Sequence, residues 1–63
     1  MNIQRLLNTM FAVKVKAAIE SGELTRGNIY QWVINYNGVY DERLEEEVKA
    51  LYRHFKNERL LGD

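Results

Sequence analysis

The chain predicts an all-α fold, on three observations. Its 63 residues hold no proline and only four glycines, so little interrupts regular backbone. Apolar residues recur at spacings of three and four, the period of helices rather than strands. The few turn-forming residues fall where helices should end and begin, at Gly22, Thr25, Asn37-Gly38 and Asp41. The expectation is one compact domain over residues 1–63 with three helices, at about 2–21, 25–36 and 41–59.

Asn2 to Ser21 reads as the first helix. A turn of roughly 100° per residue places Val13, Leu6, Ala17, Met10, Ile3, Leu7, Ala18 and Phe11 on one broad arc. An arc that wide predicts two neighbours. Lys14 falls inside it, between Met10, Leu7 and Ala18. An unpaired buried ammonium is costly, so Lys14 should snorkel outward or meet an acid, with Glu47 the expected partner. A bend near Val13 that leaves Lys14 exposed is the alternative. Gly22 should close the helix in a left-handed conformation.

Thr25 reads as the N-cap of the second helix, and Leu24 with Ile29 has the spacing of a hydrophobic staple. Asn37-Gly38 should end this helix. The pair also suits a hairpin turn, and Trp-Val-Ile-Asn-Tyr has strand character. No second strand of matching pattern exists, so helix is the better reading.

Asp41 should cap the third helix. Acids come early (Glu42, Glu45, Glu46, Glu47) and bases late (Lys49, Arg53, Lys56, Arg59), which complements the helix dipole. Glu45 and Lys49 add an i,i+4 pair. The apolar stripe is narrow: Leu44, Val48, Leu51 and Phe55, with Tyr52 at its margin. It predicts an outer helix, buried on one side.

Composition narrows the class of function. Nine basic and nine acidic residues give a formal net charge of zero, whereas a dedicated nucleic-acid binder normally carries a basic excess. The absence of cysteine suits a reducing, cytoplasmic setting and excludes disulfide staples. No apolar run approaches the roughly 20 residues of a membrane span. The first twenty residues carry Arg5, Lys14 and Lys16 with no acid before Glu20, the description of a transit peptide as well. They are poor in Ser and Arg, and their loss leaves too little chain to fold, so they read as structure. A domain this small without staples needs very good packing or self-association. A homodimeric helical bundle that completes the core is therefore expected.

The most informative segment is Gly27 to Tyr40, which has no charged residue in a chain that is 29% charged. On a wheel, Ile29, Trp32, Val33 and Tyr36 form one apolar face, and Tyr30 with Ile34 continue it around the back. Only Asn28, Gln31 and Asn35 remain as a polar strip. A helix apolar nearly all round is normally buried, yet a three-helix monomer covers one face of it far more readily than two. Tyr30, Trp32, Ile34 and Tyr36, extended by Phe11, are thus expected as anchors of a protein interface, since aromatic residues dominate such surfaces.

The amide strip supports an alternative. Asn and Gln pair with adenine edges in the major groove, and Arg26, Lys14 and Lys16 are available for phosphate. The order Ala18, Gly22, Thr25, Ile29, Trp32 loosely resembles helix-turn-helix segments, and Tyr30-Gln31-Trp32 is similar to a Tyr-x-Trp found in transposase-type examples. The resemblance covers about a third of the chain and implies a DNA-reading helix at 25–36, with the third helix dimerising. One extra residue lies between Gly22 and Ile29 relative to the usual spacing.

Other chemistry is weakly provided for. His54 and Glu58 have two-ligand helical spacing, but a metal site needs more ligands and there is no second histidine and no cysteine. No spacing supports a nucleophile–base pair, and there is no glycine-rich phosphate loop. The expectation is a non-enzymatic regulatory or adaptor protein without cofactor, metal, membrane or small-molecule substrate. Its partners should be a second copy of itself and another protein, with DNA binding as the alternative.

Overall fold

The computed structural model describes residues 2–62, with side chains over residues 2–57. It is all-helical, with no strand among the described residues. Among the described residues four helices rather than three follow in order: α1 (Ile3–Leu7), α2 (Met10–Ser21), α3 (Ile29–Asn37) and α4 (Glu42–Gly62).

The expected first helix is broken by Thr9. Its hydroxyl oxygen accepts from the Ala12 N–H at 3.2 Å, the N-cap bond of α2, and its hydroxyl donates to the Leu6 carbonyl at 2.7 Å. One side chain closes α1 and opens α2. The break resets the helical phase. α1 half-buries Ile3, Leu6 and Leu7, whereas α2 buries Ala12, Val15, Ala18 and Ile19. On one continuous wheel those two faces lie roughly 140° apart, so a single straight helix cannot bury both. The arc read from sequence carried the α1 phase through α2. Met10, Val13 and Ala17, expected inside, are therefore exposed, Met10 at 72% and Val13 at 57%.

Lys14 moves outward with them. It is exposed, its Nζ stands 5.7 Å from the centroid of the Tyr36 ring, and it forms no ion pair with Glu47. The two residues face different neighbours: Lys14 looks towards α3, and Glu47 lines a concavity with Asn2 and Arg5.

Gly22 ends α2 as expected, with φ at 85° and its N–H bonded to the Ile19 carbonyl at 3.2 Å. Thr25 does not cap α3. The helix starts at Ile29, and Asn28 holds the preceding turn instead. The Asn28 side-chain oxygen accepts from the Thr25 N–H at 2.7 Å, and its NH2 donates to the Glu23 carbonyl at 2.9 Å. With that amide committed to the loop, α3 has no side-chain cap. Leu24 and Ile29 are both buried as core residues rather than as a staple. Gly38, with φ at 89°, closes α3 where Asn37-Gly38 predicted.

α4 opens on Asp41, whose carboxylate accepts from the Leu44 N–H at 3.1 Å. Glu45 and Lys49 approach to 3.9 Å, the expected pair. The expected stripe is also present: Val48 and Leu51 are fully buried, and Leu44, Tyr52 and Phe55 pack on the core. The position of α4 differs, because it is the hub and not the outer helix. α1, α2 and α3 each pack on it, while the backbones of α2 and α3 stay apart. Length explains this. Its 21 residues rise about 32 Å, close to the 35 Å long axis of the molecule, whereas the nine residues of α3 rise only about 14 Å. A short helix cannot serve as the scaffold, however apolar it is.

The core is thin. Its largest fully buried side chains are Leu24, Leu51, Val15, Val33 and Val48, and no polar side chain is buried among the described residues. None of the aromatic rings is fully buried.

Candidate functional site

Because α2 and α3 both rest on α4 while their backbones stay apart, a cleft of about 610 Å³ opens between them. Its walls include Lys14 and Ala17 from α2, and Gln31, Trp32, Asn35 and Tyr36 from α3. Trp32 and Tyr36, one helical turn apart, stack at 5.2 Å with ring planes 9° apart. Phe11 meets Tyr36 at 5.3 Å and Trp32 at 6.3 Å, both tilted, and so ties the ring cluster to α2. Lys14 stands over the outer face of this cluster in a cation–π contact. Tyr36 remains 45% exposed.

Of the expected anchors, Phe11, Trp32 and Tyr36 therefore form one aromatic group. Tyr30 and Ile34 project from the other side of α3. Tyr30 packs on Tyr40 at 4.9 Å, and the Tyr40 hydroxyl donates to Glu45 at 2.7 Å. That hydrogen bond to a carboxylate, reinforced by the negative charge nearby, pushes the Tyr40 phenol up to about 12. Tyr30, Tyr40 and Val39 form a second exposed apolar group beside the start of α4.

The residues of the DNA alternative are divided. Lys14, Asn28, Gln31 and Asn35 line the cleft. Asn28 is committed to the loop, and Gln31 donates to Asn35 at 3.1 Å. Lys16 is exposed on α2 but lines none of the concavities described here. Arg26 lies in a separate concavity of about 400 Å³ with Ile29, Lys49, Tyr52 and Arg53.

Two features were not anticipated from sequence. One is the exposed α2 stripe of Met10, Val13 and Ala17, of which Ala17 lines the cleft. The signal that finds it is Thr9 as an N-cap followed by Ala12, Val15 and Ile19 at i, i+3 and i+7. The other is the approach of Arg26 to the basic half of α4, which depends on tertiary packing and has no local signal.

No group of three or more His, Cys, Asp or Glu side chains is placed to hold a metal among the described residues. His54 packs edge-on against Phe55 at 5.6 Å, and the side chain of Glu58 lies outside the described residues. No helix among the described residues is long and apolar enough to cross a membrane. Comparison with protein-family models, curated proteins and solved structures finds no match to this chain.

Proposed function

We propose that the protein is a small non-enzymatic regulator or adaptor that works by protein–protein association, with a second copy of itself as its first partner. The observation that carries this reading is the uncovered face shared by α2 and α3. Met10 and Val13 lie more than half exposed on α2, and Tyr36, grouped with Phe11 and Trp32, is 45% exposed on α3. Large apolar side chains gathered on one face, rimmed by polar ones, mark contact surfaces rather than solvated ones.

The exposed face of α2 is also self-complementary. Lys14 and Glu20 sit three positions either side of the small residue Ala17, and all three are exposed. Two α2 helices crossing antiparallel at Ala17 bring Lys14 of each copy to Glu20 of the other. The small Ala17 side chain lets the backbones approach, and Met10 and Val13 are covered from water. A symmetric pair of this kind is the commonest oligomer architecture.

The DNA reading draws no comparable support. Its amides are bonded to the loop or to each other, and Arg26 is separated from Lys14. Light scattering tests the proposal: the wild-type mass should exceed that of one 7.5 kDa chain, and Val13→Glu should return it to that value. Val13 is exposed, so this change leaves the core intact. A wild-type protein that stays monomeric at high concentration sinks the self-association.

A further inference from the structure

The concavity between the α2–α3 loop and α4 is lined by three cations, Arg26, Lys49 and Arg53, on a floor of Ile29 and Tyr52. No carboxylate among the described residues lines it. Arg26 and Arg53 have no hydrogen-bond or ion-pair partner among the described residues, and Lys49 has only Glu45, at 3.9 Å. A fourth cation, Lys56, places its Nζ 5.6 Å from the centroid of the Tyr52 ring. In a chain with a net charge of zero this is a strong local segregation. The balancing acids Glu42, Glu46 and Glu47 gather in a different concavity with Asn2, Arg5 and Arg43.

We propose that Arg26, Lys49 and Arg53 form a binding site for a small phosphomonoester, with its phosphate held by the two guanidiniums and its apolar or aromatic part resting on Tyr52 and Ile29. Converging like charges repel one another, and a bound anion of charge near two removes that repulsion. Guanidinium groups match phosphate oxygens in pairs, which lysine alone does not. The floor explains why an organic phosphate is favoured over the bare ion: Tyr52, half-buried, and the apolar Ile29 both line the concavity. A volume of about 400 Å³ lies in the range of small-molecule sites. Nucleic acid is the less favoured occupant, because three cations and one aromatic ring offer little of the extended basic track that a strand needs. The site shares no lining residue with the α2–α3 cleft, so it holds whether or not that face dimerises.

The test is an NMR amide titration of the full chain at constant ionic strength with phenyl phosphate, inorganic phosphate and a short DNA duplex. Phenyl phosphate should shift the Ile29 and Tyr52 amides saturably and bind several-fold more tightly than inorganic phosphate. Arg26→Gln and Arg53→Gln, both at exposed positions, should each weaken it by about tenfold. Lys16→Gln should leave it unchanged, and circular dichroism confirms that each variant is folded. Three outcomes overturn the proposal: no saturable shift beyond that caused by chloride, equal binding of phenyl and inorganic phosphate, or tighter binding of the duplex through the same arginines.

Discussion

Tyr40 shows how one side chain makes the fold sensitive to pH. Its hydroxyl donates to Glu45 only while protonated, and that bond raises its pKa from 10.0 to about 12. A raised folded-state value means that the unfolded chain loses the proton first. The contribution is complete below pH 10, fades as the pH climbs towards 12 and is absent above it. An absorbance titration of the tyrosines should show one phenol ionising near pH 12, and Tyr40→Phe should abolish that late phase. The glycines offer a second contrast. Gly22 sits at φ 85° with open space around it, so Gly22→Ala costs backbone strain alone, about 1 kcal/mol. Gly27 also faces open space but without a positive φ, and Gly27→Ala should be neutral or stabilise by up to about 1 kcal/mol. Thermal unfolding of the two variants should move the midpoint in opposite directions or, for Gly27, not at all.

At the scale of elements, Thr9 separates α1 from α2 and so lets the two bury different faces. Removing its hydroxyl takes away the cap of α2 and the bond to Leu6 together, so Thr9→Ala should cost about 1 kcal/mol in denaturant unfolding. The sequence makes several element ends legible: Gly22, Asn37-Gly38 and Asp41 act where their chemistry says they should. It is less clear where several residues offer equivalent caps. Thr9 lies inside an unbroken apolar pattern, and Thr25 is as good a capping type as Asn28. Neither caps α3 with its side chain: the Asn28 side chain bonds Glu23 and Thr25 within the loop, and the helix waits until Ile29. The aromatic group was partly legible for a related reason. Trp32 and Tyr36 share a face by helical spacing, but that Phe11 and Lys14 join them depends on the angle between α2 and α3.

At the scale of the whole molecule, the charge pattern of α2 gives the sharpest prediction. Lys14→Glu and Glu20→Lys should each turn the proposed cross-pairs repulsive and shift the sedimenting mass towards monomer. Mixed in equal amounts, the two variants restore opposite charges across the interface and should form a heterodimer. Single variants that remain fully dimeric count against the antiparallel register, even if Val13→Glu still dissociates the protein. The arrangement of helices bears on this directly, because α4 gathers the other three and leaves α2 and α3 as separate ridges with a cleft between them.

By itself the sequence determined the helical class, about half of the helix ends, the buried stripe of α4 and the presence of an uncharged aromatic segment. Each of these follows from residues close together in the chain: caps, spacing and composition. Only the tertiary structure decided that α4 is the hub, that α2 turns Met10 and Val13 outward, and that Arg26 lines one concavity with Lys49 and Arg53. Those outcomes come from helix length and from the phase reset at Thr9. A change of phase that exchanges inside for outside is decided by which of two apolar faces finds a partner to pack on, and one helix considered alone does not contain that information.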